Sequence, residues 1–208
     1  MKSLLRYFLL AGVLLSATAG LFARANTVEH LRDATADMPN EKDRLSVQSA
    51  LVEFEGSDRL KEFFEKSYAV VIFPTIGKGG LGLGGAHGTG WGFREGRFDG
   101  ESKMTQVTIG FQAGGQAFSQ IIFFEDEFTF KRFTNGNFEL GAQASAVAIT
   151  AGANAQASTA GGANAGANNA QAKSSYSDGL AIFTMAKGGL MYEASVGGQK
   201  FSYRPAKK

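Results

Sequence analysis

The apolar positions of residues 27–66 recur every three or four residues, a pattern that predicts amphipathic helices. Thr27 provides a side-chain cap for the first helix, and Pro39 discourages its continuation. The second predicted helix covers about residues 41–55 and is followed by a glycine. A third, short helix is predicted to begin at Ser57 or at the next residue. This part of the chain is therefore expected to be helical.

The third predicted helix carries Leu60, Phe63 and Phe64 on one apolar face. Packing in the protein core is the simplest interpretation of such a face. The alternative is a helix that lies on a membrane and places the same rings at the lipid boundary.

From residue 69 onward the pattern becomes extended, with short apolar or alternating runs between glycines. Pro74 is expected to close the first strand, and Asn135 with Gly136 forms a two-residue hairpin signal. The predicted strands are 69–73, one that includes 81–83, the hairpin 91–98 about residues 94–96, and then 104–111, 117–124, 128–133, 138–140, 180–185 and 190–196. The expected fold class is α+β, with N-terminal helices packed on a glycine-rich, curled, mostly antiparallel sheet.

Nine glycines occur between Gly77 and Gly92, a density that favours close approach of backbones. At positions 80–84, glycine and leucine alternate with a period of two. One face of this strand is therefore predicted to be bare backbone that meets another backbone, and the other face to be leucine.

The same block contains the spacing of a dinucleotide fingerprint, formed by Gly80, Gly82 and Gly85. A fingerprint requires a helix directly after it, and the three glycines among residues 88–92 disfavour one. Lys78 is not followed by Ser or Thr, so no phosphate-binding Walker sequence is present. We expect no cofactor.

The first 25 residues combine Lys2 and Arg6, an apolar run and the small residues Ala23 and Ala25. This order predicts a signal peptide cleaved after Ala25, and hence a periplasmic, outer-envelope or secreted protein. An uncleaved membrane anchor is the alternative, but polar and glycine residues interrupt the apolar run. Residues 26–208 are then expected to form a single domain, with 151–172 as a flexible, low-complexity loop.

Charge argues against nucleic acid as a partner. The formal net charge of +2 becomes −1 when the three bases of the predicted leader are removed, so no overall basic field remains. Residues 26–66 contain ten acids and six bases, whereas residues 67–208 contain nine acids and twelve bases. An anionic partner should therefore meet the second part of the chain.

The sequence offers little catalytic chemistry. It has no cysteine and only two histidines, His30 and His87, and no nucleophile-elbow motif. His87 is interpreted as a turn residue bonded to backbone. Residues 125–127, Glu-Asp-Glu, lack the spaced ligands of a calcium loop and are interpreted as a solvated hairpin turn. We therefore predict a protein that is not an enzyme and has no metal site.

Several glycine-containing segments, taken in order, resemble the SYLF family of lipid-binding domains. The matching segments are 68–74 with 79–90, 108–116, 138–145, 175–180 and 188–190. The resemblance covers about residues 30–203 and implies binding of phospholipid at membrane surfaces. Some fungal members bind actin, which is an unlikely partner for an exported bacterial protein.

The resemblance directs attention to cations at predicted turns, which would meet lipid phosphates together. Solvated, scattered charges are the alternative interpretation. Trp91 is a candidate interface residue or an ordinary buried side chain. The candidate lipid-binding residues are Lys78, Arg94, Arg97, Lys103, Trp91, Phe63 and Phe64, with Lys131 and Arg132 as further basic turn residues.

The expected function is that of a non-enzymatic phospholipid-binding module of the bacterial cell envelope, which contacts anionic lipid through basic turns and apolar groups. The alternative is a structural or assembly protein of the envelope, whose sheet edges would pair with copies or other proteins without a specific lipid ligand. The oligomeric state stays open.

Overall fold

The computed structural model describes residues 27–136, 138–140, 147–148 and 176–207, and their side chains except those of 110–112, 147–148 and 188–197. The predicted signal peptide and the low-complexity loop at 151–172 lie outside the described residues.

The three predicted helices are present. They are α1 (Val28–Ala34), continued by a 3-10 turn at Thr35–Asp37, α2 (Glu41–Glu55), and α3 (Lys61–Lys66), preceded by a 3-10 turn at Asp58–Leu60. Their starts follow from capping, because the Thr27 side chain accepts a hydrogen bond from the His30 amide, and Asn40 accepts one from the Lys42 amide at 2.8 Å.

Three long strands dominate the sheet where the sequence predicts many short ones. The strands are β1 (Ala69–Arg94), β2 (Arg97–Phe124), β3 (Phe138–Leu140), β4 (Val147–Ala148) and β5 (Leu180–Pro205). Their order is β1-β2-β5-β3; these neighbours are antiparallel, and β4 pairs with β5 in parallel. The fold class is therefore confirmed as α+β with a mostly antiparallel sheet.

The predicted strand breaks are bulges within continuous strands. Pro74 does not close a strand; it lies in β1, where the register shifts between Phe73 and Ile76. Proline is tolerated there because β1 is an edge strand and loses no ladder partner on its outer side. The predicted strands 180–185 and 190–196 are likewise parts of one strand, β5, in which Lys187 is the bulged residue between Ala186 and Gly188.

Residues 128–133 were predicted to be a strand, and this prediction is wrong. They belong to a helix, α4 (Glu127–Thr134). Asp126 caps it by accepting a hydrogen bond from the Thr129 amide at 2.7 Å, which also lowers the pKa of Asp126. Residues 125–127 therefore lead into a helix, with Asp126 as its cap and Glu127 as its first residue, and are not a hairpin turn.

The hairpin turn predicted at Asn135 and Gly136 is also wrong. Asn135 and Gly136 end the helix, with Gly136 at a φ of 127°, and do not form a hairpin turn. The hairpin predicted about residues 94–96 is confirmed, because Glu95 and Gly96 form its turn with φ values of 50° and 71°.

Two apolar cores lie on the two faces of the sheet. One joins α1, α2 and α3 to the sheet and includes Leu51, Phe63 and Phe123. The other joins α4 to the sheet and includes Phe133 and Phe201. Most phenylalanines described in the structure belong to these cores.

Candidate functional site

The sheet bends sharply in the middle of β1. A Cβ atom placed on Gly80 would meet the Gly84 Cα and the Leu83 carbonyl oxygen, so the chain reverses within these few residues. Gly82 lies at the turn with a φ of 74°, a left-handed conformation that glycine adopts without strain.

The bend confirms one part of the predicted backbone packing and corrects another. The face of Gly80 does meet backbone, as expected. Among the described residues, no atom would lie within 4 Å of a Cβ atom placed on Gly82, and its positive φ is what requires glycine at this position.

Beyond the helices, one sheet face is open to solvent. In an antiparallel ladder, register partners project from the same face, and so do residues two apart along each strand. Three consecutive rows of this face are His87 with Thr105 and Lys200, Gly85 with Val107 and Gly198, and Leu83 with Ile109. All of these residues are exposed. We call these rows the open face.

The open face becomes apolar towards the bend. Leu81 is 84% exposed, Leu83 65%, Val107 63% and Ile109 66%. We call these four residues the apolar tip. In the other direction lie Lys200 and, one row further than His87, the exposed Lys103. The open face is therefore cationic at the end with Lys103 and Lys200 and aliphatic at the end near the bend.

The structure does not bring the predicted basic residues together. Lys78 lies in β1, four residues before Gly82, and its register partner is Gln116 of β2. Arg94 and Arg97 flank the hairpin turn at the other end of β1, about 40 Å of extended chain from Gly82. Lys103 lies in β2, between these positions. The prediction that these four cations lie at turns is wrong for Lys78 and Lys103, which lie within strands, and is confirmed for Arg94 and Arg97, which flank the hairpin turn.

Arg94 takes part in a polar network of the fold. Its guanidinium contacts the Asp99 carboxylate at 2.8 Å, and the Tyr203 hydroxyl donates a 2.8 Å hydrogen bond to the same carboxylate. Burial opposes the charge of Arg94, but Asp99 and Tyr68 outweigh it and raise the Arg94 pKa. Burial, followed by the negative charge of Asp99, raises the pKa of Tyr203.

The remaining basic candidates have local partners. Lys131 pairs with Glu127 at 2.8 Å, and the Arg132 guanidinium lies 5.9 Å from the ring centre of Phe128. Both belong to α4 and not to a turn. Acidic residues thus accompany the cations at the hairpin end of the sheet.

Phe63, Phe64 and Trp91 are core residues. Phe63 and Phe64 are each 4% exposed, and Trp91 is 7% exposed. Phe63 lies 4.9 Å from Phe183 between ring centres, and Phe64 lies 5.0 Å from Phe123. Core packing, the simpler of the two interpretations, is confirmed. These rings are too buried in this fold to insert into a membrane.

The described residues show no group of three or more His, Asp or Glu side chains suited to a metal ion. His87 was interpreted as a turn residue, but it is exposed within β1 opposite Thr105. No described helix is long and apolar enough to cross a membrane.

A surface groove of about 540 Å³ lies beside α2, lined by Glu41, Lys42, Leu45, Ser46, Ser49, Thr75 and Lys187. Six of these seven side chains are polar or charged, a lining that does not suit an acyl chain.

One protein family matches the second half of the chain. The model of the family Ysc84, described as "Las17-binding protein actin regulator", matches residues 105–207. The chain belongs to the SYLF family. The matched part contains most of β2, α4 and β5, and with them Val107, Ile109 and Lys200. No curated protein and no solved structure matches the chain significantly.

Sequence reasoning missed most of the open face of this SYLF protein. Lys103, Thr105, Val107 and Ile109 alternate with inward residues such as Met104, which is fully buried. This alternation is visible in the sequence, but it equally describes a strand with both faces covered. Only the position of the helices shows which face is open.

Proposed function

We propose that this SYLF protein is a non-enzymatic phospholipid-binding module of the bacterial cell envelope, and that its open face meets the anionic lipid surface. The observation that carries the proposal is this exposed sheet face, where Lys103 and Lys200 approach an aliphatic end. Membership of the SYLF family supports it. Lipid contact through the basic hairpin is not part of the proposal.

The distribution of acids favours an orientation in which the helical layer points away from the membrane and the bend end of the open face points towards it. Residues 66–94 and 102–124 contain no Asp or Glu, whereas the helical segment 26–66 contains ten. An anionic surface therefore repels the helical layer and attracts the sheet beyond it.

Two ion pairs compete with lipid phosphate at this face. The Lys103 ammonium lies 3.8 Å from Glu101, and the Lys200 ammonium lies 3.1 Å from Glu139. Both lysines are more than half exposed, and exposed pairs of this kind contribute little stability. A phosphate can therefore replace the carboxylate as a partner without a large cost to the fold.

The proposal predicts that changing both Lys103 and Lys200 to Gln weakens binding to phosphatidylglycerol vesicles by about tenfold. Binding of the parent should fall as salt is raised, since exposed charges are screened beyond about 8 Å at physiological ionic strength. The measurement is vesicle co-sedimentation of protein made with its own leader and purified from the envelope. Phosphatidylcholine vesicles give the uncharged comparison.

The matched control replaces Lys61 and Lys66 by Gln, which removes the same charge from the helical layer. These lysines are also exposed and also belong to surface ion pairs. The control should bind as the parent does. Equal binding by both variants and the parent would exclude the open-face lysines, and a parent that binds no vesicle would favour the structural or assembly role.

The family description supports a second candidate, an actin-regulating module. We propose instead that actin is not a partner, because the leader-like residues 1–25 predict export. The purified protein should therefore stay in the supernatant when actin filaments are sedimented. Saturable pelleting with filaments, at a concentration where the protein alone does not pellet, would reverse this choice.

A further inference from the structure

We propose that the apolar tip, formed by Leu81, Leu83, Val107 and Ile109, inserts into the acyl-chain boundary of the bilayer. This proposal rests on the proposed function. It adds which residues enter the bilayer and how the strands are oriented to the membrane. The tip would enter first, and the strands of the open face would rise from the membrane with their lysines among the headgroups.

The backbone holds the tip in a protruding position. Gly82 turns the chain between Leu81 and Leu83, and a Cβ on Gly80 would meet Gly84, so the two leucines flank a tight reversal. On β2, the register partner of Leu81 is Ala113 and that of Leu83 is Ile109. One residue of β1 and three residues of β2 lie between these partners, so the register of β1 against β2 shifts here, while residues 110–112 stay paired with β5. This register shift lies at the same level as the reversal of β1.

The exposure of the tip is unusual for its residue types. Each of the four aliphatic side chains is more than 60% exposed. Leu83 and Ile109 are register partners, and Val107 lies two residues before Ile109, so these three side chains adjoin on the face. Adjacent exposed aliphatic groups of this kind indicate an interaction surface.

The composition of the tip favours lipid over a protein partner. Its side chains are aliphatic and carry no polar atoms, whereas protein interfaces draw most of their binding energy from Trp, Tyr and Arg anchors. Gly80, Gly82, Gly84 and Gly85 surround the leucines and provide no side chains for a shaped pocket. An acyl-chain boundary needs neither anchors nor a pocket, because burial of apolar area is sufficient.

The spacing of the lysines fits a shallow insertion. Rows of one sheet face repeat every two residues, or about 6.6 Å. Lys200 lies two rows from Leu83 and Lys103 lies three rows away, which gives about 13 and 20 Å along the strands. Interfacial groups enter about 5–10 Å into the membrane. With the tip at that depth, the long Lys200 side chain reaches the phosphate level, and Lys103 lies just outside it.

Insertion and electrostatic attraction respond differently to salt. Screening removes the lysine contribution but leaves the transfer of aliphatic groups from water largely intact. We therefore expect part of the vesicle binding of the parent to persist at high salt, and that part to depend on the tip.

The test changes Leu81 and Leu83 together to Ser and leaves the glycines in place. Its affinity for phosphatidylglycerol vesicles should be lower than that of the parent by about tenfold or more. The binding that persists at high salt in the parent should disappear in this variant. The matched control changes Leu45 and Val52 to Ser, because both are exposed on α2, at 57% and 56%. The control should bind as the parent does. Thermal midpoints close to that of the parent show that both variants are folded.

A second measurement tests directly whether the tip enters the bilayer. The chain has no cysteine, so Leu81→Cys and Leu45→Cys each provide one labelling site for an environment-sensitive fluorophore. On adding vesicles, emission of the label at position 81 should shift to the blue and be quenched by lipids that carry a spin label on the upper acyl chain. The label at position 45 should show neither effect.

The outcomes separate the two proposals. Tight vesicle binding by the parent and equally by the Leu81 and Leu83 variant would overturn insertion and leave the proposed function standing. A parent that binds no vesicle would overturn both. A parent that forms dimers without lipid, with a monomeric Leu81 and Leu83 variant, would show that the tip pairs two copies and would overturn the lipid assignment.

Discussion

Truncation of Phe133 to alanine is expected to lower the free energy of unfolding by about 3–5 kcal/mol, a large share of the stability of a single domain. Phe133 is fully buried, and its ring centre lies 5.0 Å from Phe124 and 5.3 Å from Phe201. Alanine would leave a cavity between α4 and the sheet, because four aromatic rings around this position lose their partner.

The same helix provides the control. Phe128 is 70% exposed, so Phe128→Ala should change stability by no more than about 0.5 kcal/mol. Chemical denaturation followed by circular dichroism measures both variants. The comparison also tests the helix itself, since a strand over residues 128–133 would bury Phe128 and Phe130 together and expose Phe133. Comparable losses for Phe128→Ala and Phe133→Ala would contradict the position of α4.

Substitution of Gly90 by valine is expected to destabilise the protein by about 3 kcal/mol or more. A Cβ at Gly90 would lie 2.6–2.8 Å from three ring atoms of Phe73, which is fully buried. Phe201 packs against this ring at 5.7 Å between ring centres, so a shift of the Phe73 ring would disturb the packing of the same core. Valine would therefore force apart the two ends of β1 where the sheet curls over Phe73.

Gly77 is the matched control for Gly90, because it also lies in β1 but is exposed and has no atom within 4 Å of a Cβ position. Gly77→Val should leave the thermal midpoint unchanged or raise it slightly, since valine favours a strand. Thermal unfolding of the two variants gives the result. If Gly90→Val unfolds at the temperature of Gly77→Val, the ring of Phe73 does not lie where the structure has it.

The two kinds of prediction rest on different parts of the molecule. The Phe133 and Gly90 substitutions test the aromatic core that holds the curl, and they bear on lipid binding only through folding. The Leu81 and Leu83 substitutions change exposed groups and should leave folding intact. A variant that is folded and does not bind lipid is therefore informative about function in a way that the core variants are not.

Local signals in the sequence determined the helical segment and its limits. Thr27 and Asn40 cap helices through their own side chains, and Pro39 lies between those helices. The hairpin turn at Glu95 and Gly96 is also local, because its left-handed backbone requires particular residues. The glycine content predicted a curled sheet with close backbone contact, and Gly80 and Gly88 show such contacts.

Signals that depend on a distant partner were not decisive in the sequence. The alternation of Phe128 and Phe130 suggested a strand, but the Asp126 cap and the rings that surround Phe133 favour a helix. Pro74 and Lys187 resembled ends of strands. However, β1 and β5 continue past the bulges at these positions, because both strands stay paired with β2 on either side. In each case, tertiary packing outweighed a local preference.

The sequence by itself determined the SYLF family, the α+β class and the excess of acids in the helical part, because these depend on residue types and their order. Tertiary structure alone decided which apolar residues are buried. Phe63 and Trp91 are core residues, whereas Leu81 and Ile109 are exposed, although all four look equally apolar in the sequence. The physical reason is that exposure depends on what packs against a face, and the helices reach one part of this sheet and leave the part near the bend open.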